Sequence, residues 1–181
     1  MRKQAFHSAL IAASAALWFA GCASAGDRTA GEHVDDAALT AKVKTALIGD
    51  ERTKARKIDV ETFKGVVQLN GFVDSAAEKT AAGSVARTVK GVDSVKNNLQ
   101  VGAARTAGEV VDDGAITAKV RAALIDDPRT KSHQIEVTTH DGTVQLGGFV
   151  DTAESKAAAA QLAGKVAGVT RVTNKLEVRP N

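Results

Sequence analysis

The sequence predicts an α+β protein made of two tandem α-β-β-α-β units, each a three-stranded mixed sheet packed by two helices. Two observations carry this. The stretch from Gly65 to Asp74 returns almost unchanged from Gly142 to Asp151. Sliding the chain on itself by about 77 residues aligns Val34–Val101 with Val111–Val178 without a gap, and about 38 of 68 pairs are identical. That is a tandem duplication, and each copy, roughly 68 residues long, is near the lower limit for a core of its own.

The elements follow in the same order in both copies. Asp35-Asp36 and Asp112-Asp113 suit the start of a helix, through N-capping and the macrodipole. Leu39, Val43, Ala46 and Leu47, then Ile116, Val120, Ala123 and Leu124, fall on one helical face. Ile48 and Ile125 sit off that stripe, about 100° round the helix from their neighbours Leu47 and Leu124. A loop with a shared Asp-x-Arg-Thr-Lys pattern comes next: Asp50, Arg52, Thr53 and Lys54, and Asp127, Arg129, Thr130 and Lys131.

Ile58–Thr62 and Ile135–Thr139 alternate strictly and predict a first strand. A short turn at Lys64-Gly65 or Asp141-Gly142 joins it to strand two as an antiparallel hairpin. Asp74-Ser75 and Asp151-Thr152 cap an alanine-rich second helix that is expected to end at Gly91 and Gly168. Val92–Val101 and Val169–Val178 form strand three, parallel to strand two because a helix makes the crossover. The expected boundaries are 34–101 and 111–178, joined by a Gly/Ala-rich linker at 102–110 that permits either a docked or a flexible pair.

The amino terminus has the plan of an export signal at 1–21. Arg2 and Lys3 precede an apolar run, Ala9–Ala20, too short for a membrane span. Two cleavage signals follow. Phe19-Ala20-Gly21-Cys22 resembles a bacterial lipobox, with Phe where Leu is usual, which would make Cys22 an acylated first residue. Ala23-Ser24-Ala25 is an ordinary A-x-A site. Residues 22–33 read as a tether.

Composition excludes more than it assigns. The formal net charge is +3, but without Arg2 and Lys3 the 24 basic residues become 22 against 21 acidic ones. That balance argues against a nucleic-acid partner. One cysteine allows neither an intramolecular disulfide nor a thiolate metal cluster. His33, His133 and His140 have no ligand spacing and read as surface residues. Ser residues lack a nucleophile elbow, and Gly147-Gly148 is a strand glycine pair making room for close packing, with no phosphate-loop pattern. No catalysis, cofactor, metal or small-molecule substrate is expected.

The repeated unit resembles the BON domain, a bacterial module of OsmY-type osmotic-stress proteins. The resemblance rests on the Ile-x-Val strand, the Gly-x-Val-x-Leu-x-Gly-x-Val arm, and Gly-Val-x-x-Val-x-Asn-x-Leu. That last motif is Gly91, Val92, Val95, Asn97 and Leu99, then Gly168, Val169, Val172, Asn174 and Leu176. With the lipobox, the chain is similar to tandem-BON outer-membrane lipoproteins of the DolP type. The resemblance implies a non-catalytic, lipid-anchored protein on the outer membrane, facing the periplasm and binding anionic phospholipid; the alternative function is a periplasmic OsmY-like chaperone or protein-interaction module, and the alternative location, after cleavage at Ala25, is the soluble periplasm.

Two surfaces are candidates for lipid. The second copy offers Lys119, Arg121, Ile125, Arg129 and Lys131, cations around an exposed aliphatic of the kind that docks on anionic headgroups. The first offers Arg52, Lys54, Arg56 and Lys57, with Phe63 near the hairpin turn. Charge favours the first copy, with 11 basic against 9 acidic residues in 34–101 and 8 against 9 in 111–178. The resemblance implies the second.

Overall fold

Both hairpins turn on two residues with positive φ. Lys64 and Gly65 lie at 47° and 74°, Asp141 and Gly142 at 50° and 66°. Two left-handed residues make the tight turn whose twist matches that of the flanking strands. In the computed structural model, which describes residues 30–53, 58–102, 107–130 and 135–179 (the side chains of 30–34 and 107–111 apart), these turns join β1 (Ile58–Phe63) to β2 (Val66–Val73), and β5 (Ile135–His140) to β6 (Thr143–Val150). Cys22 lies outside the described residues.

Helix α1 (Ala30–Gly49) precedes the first hairpin and α3 (Ala107–Asp126) the second. Both begin five residues before their Asp-Asp pair, so the pair does not cap them. Instead the buried Asp36 carboxylate accepts from the backbone N–H of Lys64 at 2.9 Å and of Gly65 at 3.3 Å. Asp113 does the same for Asp141 and Gly142, at 2.9 and 3.0 Å. The second aspartate of each pair fastens helix to hairpin.

Helices α2 (Ala76–Thr88) and α4 (Ala153–Gly164) start where expected, with the Ser75 and Thr152 hydroxyls accepting from the N–H of Glu78 and Ser155. They stop at Thr88 and Gly164, short of Gly91 and Gly168, whose φ values of 101° and 96° reverse the chain afterwards. The asparagine of the last motif ties this turn in. Asn97 Nδ2 donates to the Lys79 carbonyl at 2.7 Å and its Oδ1 accepts from Leu99 N, as Asn174 does with Lys156 and Leu176.

The third strand is interrupted. β3 (Ser94–Asn97) and β4 (Gln100–Val101) both pair parallel with β2, as β7 (Arg171–Asn174) and β8 (Glu177–Val178) do with β6. The offset is the same on both sides of the gap (Leu69 opposite Asn97, Phe72 opposite Gln100), so this is one strand with a missing rung.

Each core lies between helices and sheet. In the first copy Leu39, Val43 and Leu47 meet Ile58, Val60, Val67, Leu69 and Val73, with Ala82, Ala86 and Leu99 closing the layer; the second repeats this. The opposite faces of the two sheets pack on each other, giving four layers in the order α, β, β, α. β2 and β6 are therefore buried along nearly their whole length, although only alternate residues are apolar core. The linker joins a docked pair.

Glutamines specify that docking. Gly71 has φ 113°, a conformation that favours glycine and turns its N–H out of its own sheet. That N–H donates to Gln145 Oε1 at 2.5 Å, while Gln145 Nε2 donates to the Asn98 carbonyl at 2.8 Å. In a parallel ladder those two backbone groups would bond each other; the amide from the other copy is inserted between them, which is why strand three is broken at this point. Reciprocally, Gly148 N–H (φ 107°) donates to Gln68 Oε1 at 3.0 Å. Phe63 stacks on Phe149 and Phe72 on His140, with ring centroids 5.3 and 4.9 Å apart. Asp59 accepts from Thr138 at 2.8 Å, and Lys96 pairs with Glu177.

Candidate functional site

On α3 the core residues Ile116, Val120 and Leu124 fix which side faces outward. At 100° per residue, Ile125 lies about 140° round from the centre of that stripe, with Arg121 about 40° to one side of it and Lys119 about 120° to the other. Ile125 is 67% exposed. Thus Arg121 and Ile125 share a surface, while Lys119 faces a separate hollow lined by Asp113, Ile116, Asp141 and Gly168.

The cations are held to different degrees. Arg121 reaches the edge strand, bonding Glu136 and the Val137 carbonyl. Burial pushes the Glu136 carboxyl above its ordinary value, Asp59 adds to the rise, and Arg121 works against it. Arg129 folds back on Asp127 through Nε at 2.9 Å, Nη2 at 2.7 Å and its own backbone N–H at 3.0 Å. Those hydrogen bonds hold the Asp127 carboxyl down at about 2. Thr130 completes the turn, its hydroxyl donating to the Leu124 and Asp127 carbonyls. The shared loop pattern is therefore a helix terminator. Lys131 lies outside the described residues.

The rival surface changes more. Arg52 makes the same clamp on Asp50, at 2.9, 2.6 and 3.0 Å, and holds that carboxyl at about 2. Lys54, Arg56 and Lys57 lie outside the described residues. Phe63 is only 4% exposed, enclosed between the sheets against Phe149 with Arg179 and Lys64 over its ring. It is an interface residue, and the expectation that it contributes to a lipid surface is corrected. His140 is likewise buried, against Phe72, where a surface position was expected; the side chain of His33, and all of His133, fall outside what the structure describes.

The sequence reading missed Gln68 and Gln145. A signal was present: the same long polar side chain stands in both copies in the middle of a strand otherwise made of apolar and small residues. The close-packing reading of Gly147 holds, since a Cβ there would meet the Asn70 side chain at 2.4–2.8 Å. Among the described residues, no group of three or more His, Cys, Asp or Glu could hold a metal, and no helix is long and apolar enough to cross a membrane.

With that architecture in view, comparison with known proteins gives one family model, the BON domain, matching residues 35–103 and again 112–180. The chain belongs to the BON-domain family. Over 152 residues it is 40% identical to osmotically-inducible protein Y of Escherichia coli, covering 82% of this chain and 75% of that one. Outer membrane lipoprotein DolP of Haemophilus influenzae is 32% identical over 146 residues, covering 80% of this chain and 75% of DolP. A 21 kDa hemolysin of Actinobacillus pleuropneumoniae is 30% identical, with the same coverage. The α-β-β-α-β unit is thus a BON domain, and the glutamine exchange joins two of them.

Proposed function

We propose that this chain is a non-catalytic envelope protein, anchored through an acylated Cys22, whose BON domains dock on anionic phospholipid and support outer-membrane integrity. One observation carries the docking: Ile125 stands exposed on the outer face of α3 with Arg121 beside it, while the rest of that helix's aliphatic stripe is buried. An aliphatic that can enter the headgroup region beside a cation suits an anionic surface, where each cation contributes about 1 kcal/mol. DolP, named an outer membrane lipoprotein, supports the location. Within the set expected from sequence, Arg121 and Ile125 form the docking face, Arg129 and Arg52 shape the loops that end the helices, and Lys119 lies outside it, at the separate hollow.

The test is co-sedimentation of the mature chain from residue 22, carrying Cys22→Ser, with vesicles with and without anionic lipid across a salt series. Binding that needs anionic lipid and falls with salt is expected; no binding to any vesicle refutes the docking reading.

A second reading is a periplasmic protein-interaction module, soluble after cleavage at Ala25. The edge segments β4 and β8 favour it, since they leave Val101 and Val178 54% and 41% exposed beside open strand edges that could add a partner's strand. Salt-insensitive binding of an envelope protein, lost in Val178→Lys, would select it.

A further inference from the structure

The first BON domain carries the same outward helix face as the second, with a different charge balance. Ile48 stands where Ile125 stands, and at 74% it is the most exposed large apolar residue among those described. Lys44 lies one turn before it on the same side of α1, as Arg121 does on α3. What the two cations touch differs. Arg121 is bonded to Glu136 and the Val137 carbonyl. Lys44 makes no ion pair among the described residues and acts on Glu61 through space. Gly49 follows Ile48, whereas the acidic Asp126 follows Ile125. The first domain's isoleucine therefore has an uncommitted ammonium near it and no carboxylate directly after it.

Chain length points the same way. With Cys22 acylated, only residues 22–29 separate the lipid from Ala30, at most about 28 Å of extended chain. Of the four helices among the described residues, α1 is the one tethered nearest the bilayer.

We propose that the outward face of α1, built on Ile48 and Lys44, is a second docking surface for anionic phospholipid headgroups, and the stronger of the two. This rests on the reading of the α3 face as a lipid surface. Because α1 and α3 occupy opposite outer layers, the two surfaces face apart. An anchored chain rests on its own membrane through α1 and turns α3 away from it. A chain without the acyl group links two vesicles.

The mature chain with Cys22→Ser is mixed with vesicles of phosphatidylglycerol and phosphatidylethanolamine, and with phosphatidylethanolamine–phosphatidylcholine vesicles as the neutral arm. Ile48→Ser/Lys44→Gln and Ile125→Ser/Arg121→Gln are compared, with thermal melts to show that each variant folds and Ile48→Ser alone as the gentler change. The first pair should lower binding to anionic vesicles about tenfold and the second about threefold. Turbidity from vesicle linking should vanish in either. Unchanged binding in the Ile48 variants, with loss confined to the Ile125 pair, overturns the second surface and leaves the α3 reading intact. Anionic-dependent binding without turbidity overturns the opposed pair of surfaces. Failure of the parent chain to bind removes both readings.

Discussion

Gln145 is buried to 1% and does two jobs across the domain interface, accepting from Gly71 N–H and donating to the Asn98 carbonyl. Gln145→Ala leaves a buried N–H without a partner, which costs about 1–3 kcal/mol, and also strands the half-exposed Asn98 carbonyl. The sum is about 3 kcal/mol, or a fall in Tm of about 6–12 °C for a chain of this size. Gln68→Ala removes the equivalent bond to Gly148, but Gln68 Nε2 is already buried without a partner, so the loss is partly offset by relief of that group. It should cost about 1 kcal/mol less. Gln145→Glu sharpens the test. At pH 7 its carboxylate would set an acceptor against the Asn98 carbonyl in a buried site, which should raise its pKa above the ordinary glutamate value. Stability should be recovered below about pH 4, where the protonated carboxyl both accepts and donates, and be lost as pH rises through the raised value. Thermal melts by circular dichroism from pH 3 to 8, each variant read against the parent chain at the same pH, measure all three. Equal costs for the two alanine variants, or a Gln145→Glu variant whose stability ignores pH, would refute the account of the glutamine exchange.

Two further outcomes follow from the same interface. Gly147→Ala puts a methyl into the Asn70 side chain, which is hemmed in by Gln68 and Asn98, and should destabilise by about 1–3 kcal/mol; the double variant Asn70→Gly/Gly147→Ala should regain most of it in urea unfolding. Burial raises the Glu61 carboxyl above its ordinary 4.5, with Glu136 and Asp59 adding to the rise and Lys44 opposing it. Its contribution to stability is therefore fully present below about pH 4.5 and is lost as pH rises through the raised value. Glu61→Gln should raise Tm at pH 7–8 and leave it unchanged near pH 4, so a lower Tm at pH 8 would contradict the burial argument.

Local features were legible where a residue's role is settled by its neighbours in the chain. The turns at Lys64-Gly65 and Asp141-Gly142, the caps Ser75 and Thr152, and the core stripes of α1 and α3 all follow from backbone preference and periodicity. The candidate surface was half legible. Ile125 could be placed off the core stripe by counting residues, but Arg129 could not be seen to be committed to Asp127, because a two-residue clamp depends on the turn that α3 happens to make as it ends. Phe63 was misjudged for a related reason. A lone aromatic beside a hairpin turn reads as exposed until a second sheet arrives to cover it.

The sequence by itself determined that this chain is one α-β-β-α-β unit written twice, because spacing, alternation and duplication are properties of the string. Tertiary structure decided what the two units do to each other. Gln68 and Gln145 occupy the polar face of a strand, and nothing local distinguishes a polar face that meets water from one that meets another sheet. Only docking brings an amide to the unpaired N–H of Gly71 and of Gly148, and only docking opens a strand that alternation alone would draw as continuous. By burying both sheet faces it also leaves the outer helix faces, with Ile48 and Ile125, exposed to solvent.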